Sequence, residues 1–491
     1  MKQLTESTLS ELKSSGISIP EYRLNGKKPA IGIVHIGPGA FFRGHQSWYT
    51  HRAMQMAGGD WGISCVSMRS TGVSDALNPQ DGLYTVAVLD ETTSYEVVGS
   101  IQEVLVAKSQ YQILQTRLSA ASTKFVTMTI TEKGYCLDSE GNLDLNNLDI
   151  KQDLTGEQQA CSAIAVLVEA LATRKEQGIE PFCAMSCDNL TDNGKKLRNA
   201  IIQYAEQKDK ALAAWLDEKL ICPCSMVDSI TPATDDALRQ QVSEQLSIKD
   251  NWPIKRESFV QWVVEDCLPA DKPAWKEAGV TFTSDVAGFE NAKLRLLNCP
   301  HSSMAYLGVL ADIETVHDAM QQENLVKFVQ NMIEQEIVPS FTAPKELDVA
   351  GYSADILKRF RNPAIRHLLS QIAWDGSQKL PMRILPIIEQ NIADGNPIDS
   401  LCIAVAAWCL FSRKRYIEKE QLVDPLAEKM LAIAASCNDD AEHDVALYLA
   451  LKEVFGNQLS ANKTFQTSLI QAYKKLLPVL QSKVLPWDNL V

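Results

Sequence analysis

The chain of 491 residues has no excess of basic charge, no apolar run long enough to span a bilayer and no metal-binding signature. Its 47 Lys and Arg are outnumbered by 61 Asp and Glu, giving a formal net charge of -14, which disfavours attraction to nucleic acid or to an anionic membrane. The longest apolar run, residues 401–411, falls well short of the ~20 residues that a spanning helix needs. The opening MKQLTESTLSELKSSG lacks the apolar core of a signal peptide. A cytoplasmic enzyme or binding protein is therefore expected, with no nucleic acid and no membrane among its partners. The 12 cysteines include close pairs at Cys222/Cys224 and Cys183/Cys187, but neither CxxC nor HExxH occurs. Reduced, buried thiols are expected in place of disulfides or a zinc site.

A composition of 45% hydrophobic and 22% charged residues is that of a globular chain, long enough for two domains with separate cores. Through residues 1–284, short apolar runs at 30–36, 61–68, 83–89, 95–101, 124–131, 181–187, 221–230 and 259–265 alternate with helical patterns such as 157–174 and 195–206. That alternation predicts a doubly wound α/β sheet. After Asp285 the character changes: 326–336, 354–361, 364–373, 383–393, 401–411, 425–435 and 441–455 all carry helical periodicity. The expectation is α/β, with a Rossmann-type dinucleotide-binding domain over residues 1–284 and a mainly α-helical substrate and catalytic domain over 285–491. No internal repeat or low-complexity linker separates them, so close packing with the site between them is expected.

The run at 30–36 leads into Gly37-Pro38-Gly39-Ala40-Phe41-Phe42-Arg43 and then a helical pattern. Strand, glycine turn and helix in that order suit a dinucleotide pyrophosphate, because glycine lets the backbone approach the phosphates and the helix start offers free amide hydrogens. Phe42 stands where the third glycine of GxGxxG belongs, so the motif is partial. The run at 61–68 closes a βαβ unit and ends in Met68-Arg69-Ser70-Thr71, with no carboxylate to hold the ribose 2′-hydroxyl of NAD. Arg69 beside small hydroxyl residues accommodates a 2′-phosphate, which leaves NADP open beside NAD. Thr131 and Glu132 end the run at 124–131, where open α/β sheets place ligand contacts.

Residues 285–310 gather polar groups on an apolar helical background. At about 100° per residue, Asn298 lies about 140° and His301 about 80° round the axis from Lys293, on one broad side. Pro300 lacks an amide hydrogen and crowds the carbonyl of Leu296, so the helix should kink or restart there. Spacing alone fits a buried helix with a snorkelling lysine and a core histidine equally well. Glu290, one turn before Lys293, is read either as a proton carrier to solvent or as a surface carboxylate.

Seven stretches, in order along the chain, resemble the long-chain polyol and uronate dehydrogenases typified by mannitol 2-dehydrogenase and fructuronate reductase. They are GPGAFFRGH at 37–45, QDGLY at 80–84, TITEKGY at 129–135, SCDN at 186–189, MVD at 226–228 with Thr231 and Pro232, KLRLLNCPH at 293–301 and DGSQKLP at 375–381. The resemblance implies a Rossmann-type domain, a helical C-terminal domain, metal-independent catalysis and a nicotinamide cofactor held through Gly37, Gly39, Phe41, Arg69, Thr131 and Glu132. It also implies Lys293 as catalytic acid/base, Asn189 and Asn298 as oxyanion donors and His301 as an orienting group. Asp228 and Lys379 fall in matching motifs and are expected to bind substrate hydroxyls. Arg366 is a candidate partner for a substrate carboxylate.

Ser229 stands where an arginine is expected after Val-Asp, and Cys299-Pro300 replaces small residues, so both departures bear on specificity. The expected substrate is a polyol or its 2-ketose of the mannitol and fructose type, with the hexuronate pair fructuronate and mannonate as the alternative. Tyr204 and Lys208 match the YxxxK of short-chain dehydrogenases, but at the polar end of a helix, and are set aside. A nucleotide-sensing protein without activity would not be expected to keep Lys293, Asn189, Asn298 and His301 together. The acidic surface and self-contained domains are compatible with a monomer.

Overall fold

Five apolar runs of the first half form strands β1 (Ile31–Ile36), β2 (Gly62–Ser67), β3 (Ile101–Val106), β4 (Phe125–Met128) and β5 (Cys183–Ser186). In the computed structural model, which describes residues 1–24 and 26–487, they pair in the order β3-β2-β1-β4-β5. All four pairings are parallel, and the order reverses between β1 and β4. Alternate side chains feed two cores. Val34, Ile36, Val126 and Met128 meet Leu114, Ile164 and Ile201 of helices Ala107–Ser119, Ala163–Glu176 and Asn193–Lys208. Ile33, Cys65, Phe125 and Cys183 meet Phe42, Tyr49, Trp262 and Trp275 on the other face. A parallel sheet covered on both faces needs apolar residues at nearly every position, which is why these strands read as continuous runs. The expected Rossmann-type architecture is present.

Not every predicted strand joins this sheet. Tyr84–Leu89 and Ser94–Val98 pair with each other and with Ile254–Glu257 in a separate three-stranded sheet. The run at 95–101 is cut by Gly99 and Ser100, whose hydroxyl donates to the Ser47 carbonyl at 2.8 Å, and Ile101 already belongs to β3. Ser225–Asp228, Gln261–Glu265 and Thr281–Thr283 form a third sheet. The helix after the glycine turn is broken into Ala40–Gly44 and Gln46–Ala57 at His45, whose Nε2 donates to the Gln261 carbonyl at 2.8 Å.

The chain divides into two compact units, Met1–Ala287 and Gly288–Val491. The second is helical, and its only β pairing among the described residues is an isolated bridge between Thr315 and Leu368. That bridge explains why the predicted helix at 364–373 is helical only over Leu369–Ile372: the His367 carbonyl and the Leu369 amide are bonded to Val316 and Glu314 instead. At the centre lies Asp399–Glu418, with every residue from Ser400 to Lys414 buried. Its first turn donates the Ser400 and Leu401 amides to the buried Glu336 carboxylate at 2.7 and 2.9 Å. No helix of the described residues is long and apolar enough to cross a membrane.

Arg413 on the central helix donates to Asp444 at 2.9 Å, to Asp439 at 2.8 Å and to the Tyr473 hydroxyl at 2.9 Å. The Asp444 side chain is fully buried. Asp444→Asn would leave the guanidinium without its buried counter-charge. We expect a loss of about 3–5 kcal/mol of unfolding free energy for the second unit, measured from urea midpoints.

Candidate active site

In a parallel sheet each strand delivers its following loop to the same edge, and the residues singled out in the first unit lie there. Gly37 and Gly39 follow β1, Arg69 follows β2, Thr131 and Glu132 follow β4, and Asn189 follows β5. This is the edge, beside the switch between β1 and β4, where open α/β sheets bind ligands. Asp228 closes the strand Ser225–Asp228 and is buried.

The turn after β1 requires glycine on two counts. Gly37 has φ +95, and a Cβ placed there would lie 2.1 Å from the Thr129 carbonyl oxygen. Its own carbonyl accepts from the Thr129 hydroxyl at 2.7 Å and from His35 Nε2 at 3.1 Å. His35 stacks on Phe42 at 3.4 Å and is fully enclosed, so burial pushes its pKa down to about 3 and the ring serves as a neutral brace. At Gly39 a Cβ would meet nothing closer than 4.0 Å, leaving room at that backbone for a phosphate to approach. Phe41 packs its ring 5.0 Å from His45. Arg69 is exposed and paired with Asp149 at 3.1 Å. These residues fit a dinucleotide pyrophosphate.

Thr131 adopts φ +64 and ψ 164, a conformation close to forbidden for a β-branched residue. It persists because the carboxylate of Asp188 accepts the Ile130 amide at 2.9 Å and the Thr131 amide at 3.1 Å. The Tyr135 hydroxyl completes the set at 2.6 Å. Asn189 is the next residue. Asn193, fully buried, ties the same loop to the strand carrying Asp228: its Nδ2 donates to the Ser225 carbonyl at 2.8 Å, and its Oδ1 accepts the Ser225 amide at 2.9 Å.

Helix Val286–Ala292, which leads into the second unit, passes into a π-helical turn over Lys293–Asn298 and returns to α-helix over Cys299–Leu310. The α-helix thus restarts where Pro300 requires, with the proline in its first turn, and the Cys299 amide donates to the carbonyl of Leu294. A π turn holds about 4.4 residues, so Lys293 and Asn298, five apart, come to within about 50° of each other instead of about 140°. His301, three residues on, falls in the same sector. Arg295 anchors the turn through Asn291 at 2.8 Å and Ser340 at 2.6 Å. Glu290 lies on the α-helical turn just before it.

The His301 ring lies 5.1 Å from that of His367 and stacks on Phe360 at 5.4 Å. Loss of solvent, and then the charges of His367, Arg383, Arg359 and Lys379, hold its pKa well below the ordinary value. Lys379, on helix Gly376–Arg383, donates to the Ile372 carbonyl at 3.1 Å, and Arg383 donates to the buried Ser302 hydroxyl at 3.0 Å. Neither pairs with a carboxylate among the described residues. Arg366 is turned away, exposed and ion-paired with Glu314, and it is the adjacent His367 that reaches His301. Among the described residues no three His, Cys, Asp or Glu side chains are grouped to hold a metal. Tyr204 is fully enclosed in the first unit's core, which rules out the YxxxK alternative.

A model of the mannitol dehydrogenase Rossmann domain matches residues 31–277, and one of the mannitol dehydrogenase C-terminal domain matches residues 285–477. The chain belongs to the mannitol dehydrogenase family. It is an oxidoreductase of that family. D-Mannonate oxidoreductase of Escherichia coli K12 is 37% identical over 454 residues, covering 90% of this chain and 93% of the relative. Mannitol 2-dehydrogenase of Phaeosphaeria nodorum is 35% identical over 486 residues, covering 96% and 83%. The solved mannitol 2-dehydrogenase of Pseudomonas fluorescens, a ternary complex with NAD and D-mannitol, is 33% identical with a TM-score of 0.78, covering 98% of both chains.

Asp188, Asn193 and Arg383 escaped the reading of the sequence. Asp188 stands inside SCDN beside Asn189, and nothing local marks it, because its partners lie 57 and 58 residues away. Two outcomes are expected from this geometry. Gly37→Ala should weaken NADH binding at least about tenfold, since the turn must open to accept the methyl group, as fluorescence titration would show. His301 should stay neutral from pH 8 to below 6. The unfolded chain takes up a proton near pH 6.5 that the folded site refuses, so His301, like His35 and His367, lowers stability as pH falls through about 6.5. NMR titration of the ring, assigned with a His301→Gln variant, and urea midpoints between pH 7.5 and 5.5 would check both statements.

Proposed function

We propose that the chain is a metal-independent NAD(P)-dependent dehydrogenase that interconverts a six-carbon 2-ketose and its polyol, of the fructose and mannitol type, with Lys293 as acid and base. The observation that carries this reading is the π turn, which opens on Lys293 and closes on Asn298 and so presents an ammonium and a carboxamide together. Bound nicotinamide supplies the hydride chemistry. Gly37, Gly39, Phe41, Thr131 and Glu132 would hold the cofactor. Arg69, exposed after β2 and paired with Asp149, is the residue that would meet a 2′-phosphate, which keeps NADP open beside NAD.

In ketone reduction the Lys293 ammonium gives its proton to the carbonyl oxygen, and in alcohol oxidation the neutral amine takes the hydroxyl proton. Asn298 and Asn189 donate N–H hydrogens to that oxygen as its negative charge grows, a contribution of about 2.7–4 kcal/mol for each well-aimed donor. Neutral His301 orients a neighbouring hydroxyl. Glu290 passes the lysine's proton to solvent, and Asp228 and Lys379 bind further hydroxyls.

A second reading, in which the substrate carries a carboxylate as in fructuronate and mannonate, is favoured by Lys379 and Arg383. Two half-buried cations one turn apart, neither in a salt bridge among the described residues although Asp375 and Asp424 act on Lys379 from a distance, suit an anionic group in a chain of net charge -14. The similarity to D-mannonate oxidoreductase supports the same reading.

NADH and NADPH oxidation with D-fructose and with D-fructuronate, before and after EDTA, tests both readings. Turnover of fructose supports the first, turnover of fructuronate alone the second, and loss of activity with EDTA would overturn metal independence. Lys293→Ala should cost about 10²–10⁴-fold in turnover while NADH affinity holds. Near-normal turnover in that variant would remove Lys293 from the chemistry.

A further inference from the structure

The Asp188 carboxylate joins two loops of the first unit that are far apart in sequence. Its Oδ2 accepts the Ile130 amide at 2.9 Å and the Tyr135 hydroxyl at 2.6 Å, and its Oδ1 accepts the Thr131 amide at 3.1 Å. The residue is itself fixed on the other side. Its amide donates to Ser186 Oγ at 3.4 Å, and its carbonyl accepts from Asn193 Nδ2 at 3.2 Å and from the Leu190 amide at 2.8 Å. Tyr135 is fully buried and shares a hydrogen bond with Ser186 Oγ at 2.5 Å, so the hydroxyl cannot turn away. Thr131 keeps its positive φ only while its amide and that of Ile130 are held.

We propose that Asp188 is a positioning residue that couples cofactor loading to oxyanion stabilisation, by locking the loop of Thr131 and Glu132 to the loop of Asn189. The inference rests on the reading above, in which Thr131 and Glu132 contact the dinucleotide and Asn189 donates to the substrate oxygen. A carboxylate is required because it offers an acceptor to each of two adjacent amides. The amide of an asparagine would accept one and set an N–H against the other. Once the clamp is open, Thr131 relaxes toward negative φ, and Asn189, one residue from the clamp, loses its aim.

The test is a double-mutant cycle on the full chain with Asp188→Asn, Asn189→Ala and both together, reading NADH affinity by fluorescence and kcat/KM with D-fructose and D-fructuronate. Asn189→Ala alone should lower kcat/KM by about 10²-fold or more. Asp188→Asn should cost about a hundredfold through misplacement and weaken NADH binding about tenfold. In the Asp188→Asn background, adding Asn189→Ala should then cost less than about threefold more. Full additivity, or unchanged NADH affinity in Asp188→Asn, would overturn the coupling while leaving the proposed reaction intact. Full activity in Asn189→Ala would instead refute the donor role, and the coupling with it. If Asp188→Asn does not fold by circular dichroism, Tyr135→Phe replaces it in the cycle. This variant removes a single donor, and the same shortfall from additivity and weaker NADH binding are expected in smaller measure; their absence counts against the proposal.

Discussion

Parallel pairing is the constraint on which the first unit depends. Each strand of a parallel sheet must be followed by a crossover that returns the chain to the opposite edge, so all carboxyl ends share one side. With the order β3-β2-β1-β4-β5, loops from residues as distant in sequence as Gly37 and Asn189 open on a single edge. Hydrogen bonds then set their details. Gly37 is packed against the Thr129 carbonyl, His35 braces the same turn as an uncharged ring, and Asp188 holds a threonine in a conformation it would otherwise leave.

The second unit reaches a comparable result with helices alone. A buried central helix fixes the frame, while the polar groups sit where the regular i→i+4 pattern gives way. Proline has a part in this. An α-helix passing through position 300 would meet a clash between the proline ring and the carbonyl of residue 296, and the wider turn before it relieves that clash.

Much of the architecture was legible in the sequence, because a sheet buried on both faces writes continuous apolar runs and an amphipathic helix writes its period. The glycine turn, the helical second half and the order of motifs could all be read. The sorting of strands into sheets could not: Tyr84–Leu89 is as apolar as β3, and only long-range pairing with Ile254–Glu257 assigns it elsewhere. The same limit applied at the site. Pro300 signalled an irregularity, but no propensity distinguishes a kink from a π turn. Arg366 and His367 are adjacent, and nothing local says that the histidine points inward and the arginine outward. Asp188 matters because of partners that only folding brings to it.

The π turn also changes how the length of this helix should be understood. Such a turn is an α-helix that has taken in one residue without putting its two ends out of phase. Val286–Ala292 and Cys299–Leu310 keep the faces they would have in a helix one residue shorter, so a wheel drawn through the whole segment at a constant angle misassigns every residue on one side of it. Loss of a residue between Lys293 and Asn298 is therefore a length change the helix can absorb with its flanks in place. The same deletion within Cys299–Leu310 would turn everything beyond it by about 100°, and because every residue from Ser302 to Leu310 is buried, each side chain beyond it would meet a neighbour shaped for another.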